Sequence, residues 1–297
     1  MDKRLLPDVK GEYRFNYDLK HLTWFKTGGK AEVFFRPYNL SDLQFFLKNL
    51  DSNVPVNIIG NCSNIIIRDG GVDGIVIKLG KNFANITKTG DIITAGAASL
   101  NSSITSFAII NNAGGLEFLS GIPGSVGGGI KMNSGCYGKE FKDVLESFSA
   151  IDRKGDLHKF KSSANIFEYR KCLLDDDLIF VEASFKTEFQ DSGIIKEQIE
   201  ELQLARSKTQ PIKEKTSGSS FANPQGASAW KLIDNAGLRG YKIGGATFSP
   251  LHCNFLINTG DATSYDLEEL GELAIKRVYE HSGIRLNWEI KRIGKYE

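Results

Sequence analysis

The segment Gly121-Ile122-Pro123-Gly124-Ser125-Val126-Gly127-Gly128-Gly129 places five glycines in nine positions, and Asn133-Ser134-Gly135-Cys136-Tyr137-Gly138 follows closely. Glycine at this density costs backbone entropy, a cost accepted where the chain needs positive φ or a close approach. Successive bare N–H groups form a concave nest for an anion such as pyrophosphate. The segment fits neither G-x-x-x-x-G-K-[ST] nor a G-x-G-x-x-G following a strand. Ile122, Val126, Ile130, Met132 and Tyr137 keep it apolar, unlike a flexible linker. A second polar turn, Gly60-Asn61-Cys62-Ser63-Asn64, follows the apolar run 56–59 and can bind a ligand through backbone and side chains. Alone it reads equally well as a plain β-turn. Two such loops in one α/β region suit a large anionic cofactor the size of a dinucleotide.

Three further groups could do chemistry. Glu168-Tyr169-Arg170-Lys171 offers a planar guanidinium fork for a carboxylate beside an aromatic wall, although a solvated basic surface has the same composition. Gly218-Ser219-Ser220-Phe221-Ala222-Asn223-Pro224 combines a tight bend with an extended Asn-Pro step. A serine held there could deliver a proton, and a structural turn accounts for it equally well. It lacks the G-x-S-x-G frame of a hydrolase. In Leu286 to Gly294, strand alternation puts Leu286, Trp288, Ile290 and Arg292 on one face and Asn287, Glu289, Lys291 and Ile293 on the other. Composition alone makes Glu289 and Lys291 a solvated cross-pair.

The elements that must position these groups follow from hydrophobic periodicity. Residues 31–37 read as a strand, and Ser41 is expected to cap an amphipathic helix to about residue 50. Runs 56–60, 64–69 and 74–79 read as buried strands, 91–98 as a strand, and 100–112 as a helix. Strands are expected at 147–152 and 178–189, then a charged helix at 194–206 stopped by Thr209-Gln210-Pro211, with a polar loop over 207–220. Helices near 227–236 and 265–281 and strands near 242–249, 253–258 and 287–293 complete the chain. A boundary falls near 190–205.

Composition narrows the class. With 297 residues, 41% hydrophobic and 25% charged, the chain is that of a globular protein. A net charge of +1 gives no push toward nucleic acid or anionic membrane. No apolar run approaches the roughly 18 residues of a membrane helix, and residues 1–18 lack the apolar core of a secretory signal. Cys62, Cys136, Cys172 and Cys253 stand singly, and His21, His158, His252 and His281 show no ligand spacing. No metal site or disulfide framework is expected, and free thiols in a reducing cytoplasm are.

Taken together, the pieces resemble the UDP-N-acetylenolpyruvoylglucosamine reductase family. They run in order: TGG at 27–29, GNCSN with IIIRDGG, GLEFLSGIPGSVGGGIKMNSGCYG, EYRKC, TQP at 209–211, GSSFANP, AWKLIDNAGLRGYKIGGA, NFLINTGDAT and EIKRIG. They span roughly residues 23 to 294. The short interval between Phe189 and Arg206 resembles the shorter, second type. The resemblance implies an α+β fold: a vanillyl-alcohol-oxidase (PCMH) type FAD-binding domain in two α/β subdomains, 1–80 and 81–200, and a C-terminal α+β substrate-binding domain, 201–297. It implies non-covalent FAD held by Gly60, Asn61, Cys62, Ser63, Asn64, Gly121, Gly124, Ser125, Gly127, Gly128, Asn133 and Gly135. It assigns catalysis to Arg170, Ser219 and Glu289, and substrate contacts to Tyr169, Asn223 and Lys231. NADPH and the enolpyruvyl sugar nucleotide are the implied partners, with a cytoplasmic monomer and neither nucleic acid nor membrane.

In the implied chemistry, charge builds on the α-carbon and carboxylate of the substrate. Arg170 and a protonated Glu289 stabilise it, and Ser219 delivers the α-proton. The chain departs from the family pattern in places. Cys62 stands where glycine is usual and is expected to narrow the pocket or force right-handed or extended backbone. Ala222 stands for a lysine, Lys291 for an arginine, and Ser134 and Cys136 for alanines. An oxidase on the same FAD fold lacks a reason for Ser219, Asn223-Pro224 and Glu289 to occur together, and a non-enzymatic nucleotide-binding module stays open, to be separated by whether purified protein is yellow with flavin.

Overall fold

The computed structural model describes residues Lys3–Glu297. The chain divides into two compact units, one of residues 1–15, 33–61 and 74–204, the other of residues 16–32, 62–73 and 205–297.

The first unit holds two sheets. In one, the strand order is Glu12–Asp18, Lys30–Arg36, Val72–Lys78, Val56–Ile59, and the last two run parallel with Val56 opposite Ile75. The helix Leu40–Asn49 links Lys30–Arg36 to Val56–Ile59 and buries Leu43, Phe46 and Leu47 against Val33, Phe35, Ile75 and Ile77. The Phe35 and Phe46 rings lie 4.3 Å apart. Its N-cap is Asn39, not Ser41: Asn39 is extended, and its side-chain oxygen accepts from Asp42 N–H at 3.0 Å. Asp42 in turn accepts from the N–H groups of Lys10, Gly11 and Tyr38 at 2.7, 3.0 and 2.9 Å. The second sheet is antiparallel throughout, in the order Leu157–Lys161, Leu145–Ile151, Ile179–Lys186, Ile92–Gly96, Ile86–Thr89. Ile104 of the helix Asn101–Ile110 and Ile130 of the helix Val126–Lys131 join its core with Ile93, Phe141, Phe148 and Phe185. The charged helix runs from Ser192 to Thr209, taking the first three residues of the expected loop.

In the second unit, Lys242–Ile243, Ala246–Phe248 and Leu256–Asn258 form an antiparallel sheet. The helix Ser264–Ser282 starts at a Thr263–Asp266 capping box and ends at Gly283, whose φ of 71° is left-handed. Leu267, Leu270, Ala274 and Val278 pack with Phe25, Ile66, Phe221, Ile233 and Phe248. The expected single strand over 287–293 is two. Asn287–Trp288 pairs antiparallel with Phe221–Ala222, and Lys291–Ile293 pairs parallel with Ile65–Ile67. The chain changes partner at Glu289-Ile290, so the alternation that set Glu289 beside Lys291 does not hold.

Glu268, 3% exposed, fastens this unit. Its carboxylate receives Arg68 through Nε and Nη2 at 2.8 and 3.0 Å and the Tyr296 hydroxyl at 2.9 Å, and it lies 3.5 Å from Arg292 Nη1. That hydrogen-bonded carboxylate holds the Arg68 guanidinium above its ordinary value. A buried charge that loses its partner is costly. Glu268→Ala is therefore expected to lower stability by about 3 kcal/mol, the low end of the range because Arg68 keeps some solvent. Urea titration checks this, and an unchanged midpoint would mean the cluster holds nothing.

Candidate active site

The glycine segment closes on itself and on the first polar turn. A Cβ on Gly60 would lie 2.9 Å from Ser125 Oγ, and one on Gly121 would lie 2.9 Å from Cys136 Sγ and 3.1 Å from the Tyr137 ring. Close approach, rather than flexibility, explains glycine at both positions. The Lys78 ammonium donates to the Gly60 carbonyl. Ser125, buried, occupies the N-cap position of the six-residue helix Val126–Lys131 without a side-chain capping bond. The segment offers fewer bare N–H groups than its composition suggests. Val126 N–H donates to Ser99 O at 3.0 Å and Gly127 N–H to Ala97 O at 2.9 Å. Asn101 supports the loop from below, its N–H donating to Gly124 O at 3.1 Å and its Nδ2 to Ile122 O at 3.1 Å. Around this segment Ser99 Oγ, Asn101 Oδ1 and Ser120 Oγ are buried with no partner among the described residues, as are Thr216 Oγ1 and Ser217 Oγ, just before Ser219. Buried polar atoms ordinarily have partners.

Cys62 is buried and takes φ of +53°, the left-handed backbone in which glycine is at home. The expectation that cysteine would force right-handed or extended backbone fails: Cys62 takes the left-handed region and carries its strain.

Arg170 belongs to a cluster in the first unit. Asn133, fully buried with φ of +38°, donates from Nδ2 to Glu140 Oε2 and to Glu168 O, both at 3.0 Å, and accepts from Lys142 N–H at 3.0 Å. Its side chain is occupied within the protein, and its backbone N–H donates to Ile130 O at 3.1 Å. Arg170, also left-handed at φ of +59°, donates from Nη2 to Gly135 O at 2.9 Å and sets Nη1 3.7 Å from Glu140 Oε1. Its guanidinium lies 4.8 Å from the Tyr169 ring centre. Tyr137, at φ of +51°, donates from its hydroxyl to Leu202 O at 3.0 Å. Each non-glycine residue in this backbone region stores about 1–2 kcal/mol, and three of them lie within or beside one cluster.

Ser219 and Glu289 belong to a cluster in the second unit. Ser220 O accepts from Glu289 N–H at 2.8 Å and from Ile290 N–H at 3.4 Å. Asn64 Nδ2 donates to Glu289 O at 3.1 Å, and Asn64 O accepts from Lys291 N–H at 3.1 Å. The Glu289 main chain is thereby held on both sides. Asn254, 3% exposed, fixes the serine strand: its carbonyl accepts from Ser220 N–H at 2.7 Å, and its amide exchanges two bonds with Phe221, at 3.0 and 2.8 Å. Ser220 Oγ accepts from Leu256 N–H at 3.2 Å. Asn223 Oδ1 accepts from Ala229 N–H at 2.9 Å, which starts the helix Ala229–Asn235, and Lys231 lies on that helix with its ammonium 5.5 Å from the Trp230 ring centre. Sequence reasoning missed Glu140 and Asn254. Asn254 stood inside a recognised motif, and Glu140 lay two residues past the last glycine of another.

Among the described residues no group of three or more His, Cys, Asp or Glu side chains is placed to hold a metal, and none of the four cysteines forms a disulfide.

Residues 31–161 match the FAD-binding domain family and residues 210–293 the C-terminal domain of UDP-N-acetylenolpyruvoylglucosamine reductase. With the two sheets of the first unit, this defines a flavoprotein fold of the vanillyl-alcohol-oxidase (PCMH) type with a separate C-terminal domain. The chain is 52% identical over 292 residues to the UDP-N-acetylenolpyruvoylglucosamine reductase of Rickettsia akari, covering 98% of this chain and 99% of that one. It is 53% identical to that of Rickettsia bellii, over 98% and 96%. A crystal structure of the Thermus caldophilus UDP-N-acetylenolpyruvylglucosamine reductase superposes with a TM-score of 0.83 at 31% identity, covering 97% of this chain and 100% of that one. The chain belongs to the UDP-N-acetylenolpyruvoylglucosamine reductase family.

The strained turn at Cys62 has a measurable consequence. Cys62→Gly is expected to be more stable than Cys62→Ala by about 1 kcal/mol, since the two differ only in the Cβ that left-handed backbone disfavours. Thermal melts of the pair check the order, and the reverse order would mean the turn is not left-handed in solution.

Proposed function

We infer that this chain reduces the enolpyruvyl ether of UDP-N-acetylenolpyruvoylglucosamine to UDP-N-acetylmuramate in peptidoglycan synthesis, with FAD bound non-covalently and NADPH as electron donor. The observation that carries the reading is the hydrogen bond from Glu289 N–H to Ser220 O, which seats a carboxyl and the neighbouring Ser219 hydroxyl on paired segments. Family membership over nearly the whole chain supplies the reaction.

The residues present suit the cofactor. Ser99 Oγ, Asn101 Oδ1 and Ser120 Oγ are buried around the Gly121–Gly129 segment and call for a ligand rich in donors and acceptors. FAD, with its pyrophosphate, ribityl hydroxyls and ring amides, has both. Gly60 and Asn61 with Gly121, Gly124, Ser125 and Gly128 would hold it, Gly127, whose N–H is taken by Ala97 O, would offer close approach only, and the backbone at Asn133 and Gly135 is close by. In the turn that continues from Asn61, Cys62, Ser63 and Asn64 are assigned the same role. Bound there, FAD would supply the transfer of a hydride equivalent from NADPH to the β-carbon of the enolpyruvyl group.

The protein's own share is electrostatic and protonic. Arg170 presents a fixed guanidinium to the carboxylate and the charge that builds beside it, and Tyr169 supplies a wall. A protonated Glu289 donates to the same charge. Ser219 gives its proton to the α-carbon. A serine hydroxyl is a weak acid, so placement must do what acidity does not. Asn254 and the Ser220 carbonyl supply that placement. Asn223 and Lys231 contact the diphosphate. NADPH and a sugar nucleotide are cytoplasmic metabolites, which puts the enzyme in the cytoplasm, and a monomer carries every residue named. Among the described residues no helix is long and apolar enough to cross a membrane.

Anaerobic stopped flow separates the two half-reactions. Ser219→Ala is expected to leave flavin reduction by NADPH near normal while reoxidation by the enolpyruvyl substrate slows by about 10²–10³-fold. A parallel fall in both would make Ser219 structural. Arg170→Ala is expected to damage reoxidation in the same selective way. A colourless protein that never takes up FAD would end the enzymatic reading.

A further inference from the structure

We propose that Glu140 is the positioning residue for Arg170, aiming its guanidinium at the substrate carboxylate. This rests on the reading of Arg170 given above.

Arg170 sits at φ of +59° on the short hairpin Phe167–Glu168 to Lys171–Cys172, a backbone state that arginine does not choose for itself. Several of the contacts that hold it there run through one carboxylate. Glu140 Oε1 lies 3.7 Å from Arg170 Nη1, and both side chains are about four-fifths buried, at 22% and 18% exposure. Glu140 Oε2 accepts from Asn133 Nδ2, and the same nitrogen donates to Glu168 O, two residues before Arg170. Asn133 therefore ties the carboxylate to the main chain that carries the arginine. The second guanidinium edge is fixed by Gly135 O at 2.9 Å, and Gly135 pairs with Glu140 across the two-stranded ribbon of Gly135–Cys136 with Lys139–Glu140. Glu140 thus acts on Arg170 directly through charge and indirectly through Asn133 and the ribbon that carries Gly135.

Glu140 has a second cation. Lys142 Nζ lies 2.9 Å from Oε2, and this carboxylate holds the ammonium above its ordinary value. Lys142 is more open to solvent, with its side chain 36% exposed, which makes it a balancing charge rather than the one being aimed. Glu140 also caps the short helix Phe141–Val144. Glutamine keeps that cap and an oxygen for Asn133 while removing the charge from both cations, so Glu140→Gln read beside Lys142→Met isolates the pairing with Arg170.

The test is a double-mutant cycle of Glu140→Gln and Arg170→Lys on FAD-loaded enzyme, read by anaerobic stopped flow. Glu140→Gln is expected to slow flavin reoxidation by the enolpyruvyl sugar nucleotide by about 10- to 100-fold, the scale of a misplaced catalytic group. Flavin reduction by NADPH and the flavin absorbance spectrum should not change. In the Arg170→Lys background, Glu140→Gln should cost nothing further. Added guanidinium should restore part of the rate to Arg170→Ala but not to Arg170→Ala with Glu140→Gln, because the pocket for the cation is then gone. Lys142→Met should behave as wild type. Should Glu140→Gln fail to fold, Glu140→Asp carries the test, with the charge kept but withdrawn by one methylene and a smaller selective slowing expected. A slow Arg170→Lys with full-rate Glu140→Gln, additive effects in the cycle, or Lys142→Met matching Glu140→Gln would each overturn the assignment to Glu140. Wild-type reoxidation in Arg170→Lys and Arg170→Ala would instead remove Arg170 from the chemistry, and the proposal with it.

Discussion

The carbonyl of Ser220 is the point on which the C-terminal chemistry turns. It receives two N–H groups, those of Glu289 and Ile290, where the chain leaves one strand partner and takes another. A continuous strand would have carried Glu289 on with a ladder neighbour of its own. The switch instead presents its main chain to the serine segment on one side and to Asn64 on the other. Both carriers of proposed proton chemistry thus depend on a single backbone acceptor, and Asn254 makes that acceptor rigid by binding the main chain on either side of it. Side-chain precision here is inherited from main-chain hydrogen bonds, which are harder to lose by mutation than a rotamer.

The first unit solves the same problem with strain and charge. Asn133, Tyr137 and Arg170 all hold left-handed backbone, and a buried asparagine amide joins the loop that carries the arginine to a carboxylate. Residues in such conformations persist only where their surroundings over-determine them. Close approach of glycines at 60 and 121 to Ser125, Cys136 and Tyr137 supplies that enclosure. Unpartnered hydroxyl and amide oxygens nearby are the counterpart of this rigidity.

Much of this was legible in the sequence. The glycine stretch, the polar turn after 56–59 and the motif order marked the fold, and most strands and helices lay within a few residues of their expected places. Four features were not. Asn39 rather than Ser41 starts the first helix, because a cap depends on which oxygen reaches a given N–H, not on residue type. Cys62 in left-handed backbone contradicts its own preference and is imposed by the turn. The N–H groups of Val126 and Gly127 are occupied by carbonyls some thirty residues away in sequence, which composition cannot reveal. The break at Glu289 hides inside a run of perfect alternation, since the pattern records burial and not partner.

The second unit is assembled from three separated pieces of chain, and this bears on how it can form. Phe25 and Ile66 belong to its core, and the pairing of Arg68 with Glu268 spans 200 residues. During synthesis the early pieces leave the ribosome long before their partners exist. They must wait while about 130 intervening residues are made, with apolar side chains still uncovered. Long-range closure of this kind is slow and leaves the nascent chain open to association. It also means that residues 205–297 alone are an incomplete fold, lacking an arginine for a buried glutamate and a parallel neighbour for the last strand.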